Sequence, residues 1–570
     1  MAACILGPAH TTDAPEQAAA ARPSGLRGSL VVRTVALVVV VICALALLFP
    51  VLAASVNADD RYWYLMIGDR AEGSALEVLR WSWSQISFEA LDGRLASFGA
   101  FQRRLVGMFV IEAAVGTGTP IVVYQALLKL VLFCGSILAA FAFVRSLRWR
   151  NRAGELVRAS RRTLLLVIAA STIAVAVGAQ AHSQFRNGWT SYPVFTYGAA
   201  IFIFGSIAFV LWITRLVANG SRLALVAGTL GLLLLAAATN VSYELVYPAV
   251  PVTAVALAII PVTDRARRSA GRRAKLLTSV TYIGGFTVFL VAIQRYLAEI
   301  CARSDCYEGV ELRLQPTVVR TAWYNLLTAI PGSGDSELLS DLRGVGWEDR
   351  YPLLPTGWSV AVGLAAAAAL VTVWLNHAKE PAGGTAIEPE ESADRRVEAA
   401  MLVVGAVLFL LVALGTAAIM GLSAQAQELI TEPGTVYRNT MVTWMALAFA
   451  LVLVIRALTI ILPRRGAITA WVGLALLVGV AGILTLPSNL MALRANRVHL
   501  AVTDAISWEV VKGDTTAGSD IRRCDLYEQL EDASVAERAR QAIYREANAA
   551  FDHYHGQAFC SDPRYPNGGR

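Results

Sequence analysis

The sequence predicts an all-α polytopic membrane protein, and three observations lead to that fold class. Of the 570 residues, 56% are hydrophobic and only 16% are charged, whereas charged residues make up about 25% of a typical soluble domain. The apolar residues fall into separate runs of about 20, the length that a helix needs to cross a bilayer. Basic residues alternate between crowded and nearly empty loops. Together these patterns exclude secreted, cytosolic and fibrous proteins.

Eleven apolar runs are the predicted spans, and they follow an unpatterned tail. Residues 1–29 are rich in Ala, Pro, Thr and Gly, so we expect a disordered cytoplasmic tail. The first run is too long for a signal peptide and lacks a clear cleavage site, so we expect it to be retained. The runs cover residues 30–54, 121–144, 163–181, 196–217, 223–239, 247–263, 276–297, 356–376, 397–420, 440–462 and 466–486.

The distribution of basic residues predicts how these spans are oriented. Twenty-one Lys and Arg residues lie in the loops 145–162, 215–222, 264–275, 377–396 and 456–465, but only two lie in the loops 182–195, 240–246 and 421–439. Because cytoplasmic loops retain basic residues, we expect a plasma-membrane (inner-membrane) protein with its N terminus inside and its C terminus outside. These 21 basic residues exceed the formal net charge of +7, so that charge is explained by the orientation of the spans. We therefore expect no nucleic-acid partner.

This orientation divides the chain into a transmembrane domain, residues 30–486, and a small extracytoplasmic helical domain, residues 487–570. The transmembrane domain has two long outer loops, residues 55–119 and 298–355. In the first loop, Trp81 and Trp83 stand among single charges, a composition typical of helices that lie in the membrane interface.

Four cysteines occupy polar outer segments, where an oxidising compartment favours disulfides. The simplest pairing joins neighbours in the sequence, although the cross pairings remain open. A metal site is the alternative, but no histidine lies at ligand spacing. The four residues are Cys301, Cys306, Cys524 and Cys560.

Charged residues at the outer ends of the spans are the candidates for chemistry. Asp59 and Asp60 directly follow the first span, where one carboxylate could serve as a general base. The alternative is a hydrated helix end. Arg186 and Arg438 are the two short-loop arginines on the outer side, and such an arginine either pairs with an anion or is merely tolerated. Glu244 lies at the membrane edge of a third outer loop.

The order of these features resembles the membrane-embedded GT-C glycosyltransferases of the bacterial cell envelope. The resemblance covers about residues 30–440. It rests on the order and sidedness of the acidic pair Asp59 and Asp60, Gly93 with Arg94, the aromatic stretch from Gly188 to Tyr197, Asn240 with Glu244, and Tyr437 with Arg438.

The resemblance implies that a sugar is transferred from a polyprenyl-phosphate donor to a cell-envelope glycan or glycolipid acceptor on the outer face, at the surface of the membrane lipid. Asp59 or Asp60 would be the catalytic base or a metal contact. The lipid phosphate would be held by Arg438, Arg94 and Arg186, and the substrate would contact Glu244, His182, Tyr197 and Tyr437. Glu244 caps a helix in the alternative interpretation. Without a second acidic pair, the need for a divalent cation, Mg²⁺ or Mn²⁺, stays open.

Two other functions remain as alternatives to the enzyme. A multi-pass transporter or lipid flippase usually places ionisable groups near the bilayer midplane. Lys129 is the clearest such group in the sequence, but snorkelling or pairing with a neighbouring helix explains it more simply. A non-catalytic envelope-assembly protein would retain the fold without using the acidic pair.

Overall fold

The computed structural model of the chain is predominantly helical, as predicted. It describes residues 25–56, 74–86, 95–182, 187–220, 222–303, 306, 312–350, 355–378, 389–532 and 537–565. In these ranges the only sheet is a hairpin of two short antiparallel strands, β1 (Trp149–Arg150) and β2 (Leu156–Val157).

The helices of the described ranges are numbered in chain order. The first ten are α1 (Gly25–Ala53), α2 (Ala75–Ser84), α3 (Ser97–Thr117), α4 (Ile121–Ser146), α5 (Arg161–Val177), α6 (Pro193–Ala218), α7 (Arg222–Asn240), α8 (Ala249–Ile259), α9 (Arg268–Ser279) and α10 (Gly285–Cys301). The others are α11 (Thr317–Thr328), α12 (Asp335–Gly344), α13 (Gly357–Ala378), α14 (Pro389–Leu422), α15 (Ala424–Leu429), α16 (Thr440–Ile461), α17 (Arg464–His499), α18 (Ala501–Lys512), α19 (Ala517–Asp532) and α20 (Glu537–His555).

Eight helical segments in the described part of the chain are long and apolar enough to cross a membrane. They are Thr34–Ala53, Ile121–Ser146, Pro193–Ala218, Arg265–Cys301, Gly357–Leu375, Asp394–Leu422, Thr440–Ile461 and Arg464–His499. The segment Arg265–Cys301 joins α9 to α10 through a π-helical turn, Val280–Gly284. The other three predicted spans form the shorter helices α5, α7 and α8. The multi-pass membrane class is therefore confirmed, and the count of eleven spans stays a prediction.

The helices pack through small residues and one aromatic cluster. A Cβ atom added to Gly363 of α13 would lie 2.5 Å from the carbonyl oxygen of Gly479 on α17, so this contact requires glycine, as is common between membrane helices. Four helices contribute one phenylalanine each to a central stack. Its ring centroids are 5.0 Å apart in the pairs Phe143–Phe409, Phe204–Phe409 and Phe409–Phe449.

The loops form two separate groups at opposite ends of the bundle. One group, which we call the arginine-rich face, consists of the described residues within 145–162, 215–222, 264–275, 377–396 and 456–465. Hydrogen bonds join these loops to the adjoining helix ends: Ser160 N–H donates to Glu398 Oε1 of α14 at 2.7 Å, and Arg456 Nη2 donates to Thr163 Oγ1 of α5 at 2.8 Å. The other loops, which carry the disulfides, form the disulfide face. There Gln180 Nε2 donates to the carbonyl oxygen of Thr328 at 3.1 Å.

The last helices enclose a hydrophobic core of their own on the disulfide face. α17 continues through Pro487 to His499 without a break at the predicted boundary, and the separate core begins with α18. It contains buried side chains from α18, α19, α20 and the following segment, among them Ile506, Val510, Tyr527, Tyr544, Phe551 and Phe559. Tyr554 Oη also donates to Glu112 Oε1 of α3 at 2.9 Å, which ties α20 to the first outer loop.

Two disulfides join the four cysteines of the polar segments in the simplest predicted pairing. Cys301 is bonded to Cys306 and Cys524 to Cys560, with Cα atoms 5.3 Å and 5.0 Å apart, respectively. The second disulfide links α19 to the segment that follows α20. The prediction of two disulfides between sequence neighbours is therefore confirmed.

Candidate functional site

The end of α1 is fixed by buried hydrogen bonds from distant parts of the chain. Lys129 of α4 is fully buried, and its Nζ donates to the carbonyl oxygens of Val51 and Ala54 at 3.0 Å and 2.5 Å. The Val51 carbonyl belongs to the last turn of α1 and the Ala54 carbonyl directly follows it, where a helix has no further intrahelical donors. Lys129 therefore caps the C-terminal end of α1.

The residues after this turn are held just as firmly. Ser55 donates from N–H to Asn496 Oδ1 at 3.0 Å and from Oγ to Asp504 Oδ2 at 2.7 Å. Val56 N–H donates to Gln125 Oε1 at 3.1 Å. We call this set of contacts on residues 51–56 the helix-end clamp. Its donors and acceptors come from α4, α17 and α18, so the start of the first outer loop is fixed by three elements at once.

A cavity of about 310 Å³ lies against the helix-end clamp. Its polar lining includes Gln125, Arg497, Asp504 and Ser507, and its apolar wall includes Trp508 and Ile121. We call it the Asp504 cavity. Asn57 is the next residue along the chain, and the acidic pair Asp59 and Asp60 follows. Both aspartates lie outside the described residues, as do Arg94 and Arg186.

A second cavity brings together three of the predicted site residues. Glu244, Tyr437 and Arg438 line a space of about 100 Å³ at the disulfide face. We call it the Arg438 cavity. The remaining wall is mostly apolar and aromatic and consists of Phe195, Thr196, Tyr243, Leu245, Leu312, Ile419, Met420, Ser423 and Gln425. An arginine and a glutamate thus line one space at the end of membrane helices.

Two contacts position Arg438. Its guanidinium carbon lies 4.8 Å from the centroid of the Tyr192 ring, a cation–π distance. A Cβ atom on Gly188 would lie 2.3 Å from the Arg438 carbonyl oxygen, so the two backbones approach more closely than any residue other than glycine permits. Residues Gly188 and Tyr192 belong to the aromatic stretch that the sequence singled out, and the structure shows that this stretch supports Arg438.

Helix α3 connects the two cavities. Near its start, a Cβ atom on Gly99 would lie 2.6 Å from the ring of Tyr243, which lines the Arg438 cavity. Farther along, Ile111 packs with Val56 of the helix-end clamp. These positions on α3 are twelve residues apart, which corresponds to about 18 Å along a helix axis.

Sequence reasoning missed several charged residues near these cavities. Arg103 of α3 places its guanidinium carbon 5.0 Å from the centroid of the Phe195 ring, which lines the Arg438 cavity. Arg497 and Asp504 line the other cavity. A usable signal for Arg103 was its place on the sparsely basic outer side. Long loops were left out of the charge comparison because they follow the positive-inside rule less strictly.

His182 occupies a third, smaller space of about 20 Å³ with Gln180, Gly334 and Asn489. Burial lowers its pKa to about 4, so the imidazole is neutral at pH 7. Its Nδ1 lies 4.0 Å from Asp341 Oδ2, beyond hydrogen-bond distance, and makes no hydrogen bond to any described residue. The structure thus places His182 outside the Arg438 cavity.

Tyr197 and Glu244 differ in their access to a ligand. Tyr197 is fully buried, does not line the Arg438 cavity, and its hydroxyl lies 3.4 Å from the Trp189 carbonyl oxygen as a donor. It is part of the packing of α6 and lines none of the cavities described in this section. Glu244 is half-buried and begins a short 3₁₀ turn, Glu244–Val246, whose N-cap residue is Tyr243. Glu244 therefore lines the Arg438 cavity from a turn that it does not cap.

The described residues contain no cluster of three or more His, Cys, Asp or Glu side chains suited to a metal ion. Asp59 and Asp60 lie outside the described residues, so the need for a divalent cation stays open. Chemically, the Arg438 cavity offers a cation for an anion, a carboxylate for hydroxyl groups and apolar walls for a lipid chain. No protein-family model matches this chain, and comparisons with curated proteins and with solved structures also give no match.

Proposed function

We propose that the protein is a membrane glycosyltransferase of the GT-C type, which transfers a sugar from a polyprenyl-phosphate donor to a cell-envelope glycan or glycolipid. The observation that carries this proposal is the Arg438 cavity. A lipid-linked sugar phosphate has an anion, hydroxyl groups and an apolar chain, and this cavity has a counterpart for each. Arg438 contacts the phosphate, Glu244 accepts hydrogen bonds from sugar hydroxyls, and the wall from Ile419 to Met420 adjoins the chain.

In the proposed reaction the bond between the anomeric carbon and the phosphate oxygen breaks, and a bond from the acceptor oxygen to that carbon forms. The acceptor hydroxyl gives its proton to Asp59 or Asp60. The departing polyprenyl phosphate gains negative charge, which the guanidinium of Arg438 stabilises through two parallel hydrogen bonds. Arg103, Arg94 and Arg186 supply further positive charge.

The helix-end clamp supports the role of the acidic pair. Asp59 and Asp60 follow Val56 by only three and four residues in the sequence. Tyr243 of the Arg438 cavity and Val56 of the helix-end clamp contact α3 about 18 Å apart along its axis, and we propose that the acidic pair acts in the space between the two cavities. A loop that must place a catalytic base needs such a fixed origin, because small displacements of catalytic groups cost large factors in rate.

The orientation belongs to this proposal as well. With eleven spans and the arginine-rich face in the cytoplasm, the N terminus lies inside the plasma membrane. Both cavities and both disulfides then lie outside, where polyprenyl-phosphate donors are used. The small core of α18–α20 becomes an extracytoplasmic domain, and we propose that it contacts the acceptor through the Asp504 cavity.

The decisive experiment measures sugar transfer by purified protein from polyprenyl-phosphate donors in proteoliposomes. We expect Asp59→Asn with Asp60→Asn, made as a pair, to abolish transfer. Arg438→Gln should reduce transfer by about 100-fold. The transfer rate of Arg438→Lys should lie between those of Arg438→Gln and the wild type, because lysine keeps the positive charge but cannot donate two parallel hydrogen bonds to the phosphate. Arg343→Gln is the matched control, because Arg343 is an exposed arginine of α12 on the same face. Full transfer by the aspartate pair variant refutes the proposed base.

A glycine substitution tests the position of Arg438 without changing its charge. Gly188→Ala places a methyl group against the Arg438 carbonyl, so we expect a loss of transfer of about 10-fold or more. Gly198→Ala is the control, since a Cβ atom there meets nothing within 4 Å. Equal transfer by the two variants contradicts the proposed role of Arg438. Movement of labelled lipid between leaflets without covalent transfer supports the flippase instead.

A further inference from the structure

A basic cavity lies on the arginine-rich face, away from the proposed catalytic site. It has a volume of about 530 Å³ and lies between the hairpin, the end of α8 and α9. Four cations line it: Arg150, Arg268, Arg272 and Lys275. No Asp or Glu residue is among the described residues that line it. We call it the Lys275 cavity.

The positive-inside rule explains how many cations this loop has, but not how they are arranged. Arg268, Arg272 and Lys275 follow one another at spacings of four and three residues, which puts them on one face of α9. Like charges at such spacings destabilise an isolated helix. Arg273 of the same helix does not line the cavity. The arrangement therefore concentrates charge on a cavity, and an anion bound there would relieve the repulsion.

The cavity is built on a rigid base. Arg150 donates from Nε and Nη2 to the carbonyl oxygen of Thr263 at 3.0 Å and 2.9 Å. The hairpin is joined to the same segment by Leu156 N–H, which donates to Asp264 Oδ1 at 2.7 Å, so this nearby carboxylate is engaged outside the cavity lining. A Cβ atom on Gly271 would lie 2.4 Å from Thr263 Oγ1, so α9 packs directly on this segment.

The remaining lining is apolar and continues onto the outer surface of a membrane-spanning segment. Ile259 and Leu276 line the cavity and are 40% and 68% exposed, and Val280, one turn beyond Leu276, is 62% exposed. Such exposure of large apolar side chains is stable where lipid covers them. The occupant must therefore be anionic at one end and apolar at the other.

We propose that the Lys275 cavity binds the headgroup of an anionic phospholipid, with its acyl chains along Leu276 and Val280. Basic pockets between membrane helices on the cytoplasmic side are suited to such headgroups. A soluble phosphate would contact the same cations, but the apolar half of the cavity would add nothing to its affinity. This site is separate from the Arg438 cavity, and its occupancy does not depend on the proposed transferase activity.

Native mass spectrometry of the full-length protein in detergent, titrated with phosphatidylglycerol, tests this site. We expect the wild type to retain phosphatidylglycerol in preference to phosphatidylcholine. The double variant Arg272→Gln with Lys275→Gln should bind it about 30-fold more weakly. Arg273→Gln, on the same helix but outside the lining, should bind as the wild type does. The single variant Arg268→Gln, at an exposed position, gives an independent reading if the double variant folds poorly.

Two results overturn the proposal. Equal binding of phosphatidylglycerol by the wild type, the double variant and Arg268→Gln shows that the lipid binds elsewhere. Saturable binding of inorganic phosphate that the double variant loses, without any preference for phosphatidylglycerol, shows that the site takes a soluble anion.

Discussion

The arginine-rich face and the disulfide face both carry arginines, but the two faces use them differently. On the arginine-rich face the cations are numerous, and three of them line one cavity from successive turns of α9. On the disulfide face single guanidinium groups lie over aromatic rings, at 4.8 Å for Arg438 on Tyr192 and 4.4 Å for Arg104 on Trp81. The number of arginines orients a membrane protein, whereas the position of individual arginines makes a binding site.

The faces also differ in what holds them together. The disulfide face has two covalent links and a buried lysine that caps α1. The arginine-rich face is joined, within the described ranges, by hydrogen bonds between short loops. We therefore expect changes in the disulfide face to have the larger effects on stability.

The largest expected effect is the loss of the disulfide between Cys524 and Cys560. It closes a loop of 36 residues, so replacing both cysteines by serine should lower the free energy of unfolding by about 4 kcal/mol on the loop-entropy model. Replacing Cys301 and Cys306, which are five residues apart, should cost about 2 kcal/mol on the same model. Denaturant titrations that follow Tyr and Trp fluorescence compare the two variants. A larger effect at Cys301 and Cys306 contradicts this ranking.

Removal of the buried lysine should come next. Lys129→Ala leaves the carbonyls of Val51 and Ala54 without their donor and opens a void in the bundle, which together should cost about 3 kcal/mol. Lys512→Ala is the matched control, since Lys512 is a partly exposed lysine of α18 on the same face. Thermal unfolding in one detergent measures both variants. Equal midpoints would show that the helix-end clamp does not depend on Lys129.

The smallest effect of this set depends on pH. The folded pKa of His182 is about 4, below the value of about 6.5 for an exposed histidine. The unfolded state therefore binds more protons between these values, so the native state loses stability as the pH falls through this window. Between pH 7.5 and pH 5 we expect a loss of about 2 kcal/mol from this group.

The measurement is the unfolding midpoint at both pH values for the wild type, His182→Asn and the exposed control His553→Asn. His182→Asn should show a flatter pH dependence, and His553→Asn should not. An unchanged slope in His182→Asn would show that His182 is protonated with equal ease in the folded protein.

The sequence predicted the membrane class, the helical runs and the pairing of the cysteines, because these follow from apolar length, charge asymmetry and proximity in the chain. It also predicted that Glu244 and Arg438 lie at the same end of the helix bundle. For Lys129 it offered pairing with a neighbouring helix as one of two simple explanations, and the structure shows that pairing, with α1 as the partner. The sequence could not name the acceptors, the carbonyl oxygens of Val51 and Ala54.

Other features of the site depend on packing between distant segments, and a single sequence carries no signal for that. Gly188 reads as a turn residue, although its function is to let the chain approach Arg438. Tyr197 and His182 belong to a polar aromatic stretch of the sequence. Tyr197 is nevertheless buried in the hydrophobic core, and His182 lines a small cavity that is separate from the Arg438 cavity. The apolar run of α17 ends at residue 486, whereas the helix continues through Pro487 to His499, because apolar length marks the part of a helix that can cross the membrane and not where the helix ends.

The proposed role of Arg438 is to hold a lipid phosphate, and the decisive measurement of that role is a structure of the protein with bound polyprenyl phosphate. We predict density for the phosphate within hydrogen-bond distance of the Arg438 guanidinium, with the prenyl chain along Ile419 and Met420. Density for the phosphate at any other place, such as beside Arg497 in the Asp504 cavity, with the Arg438 cavity closed, would contradict the account.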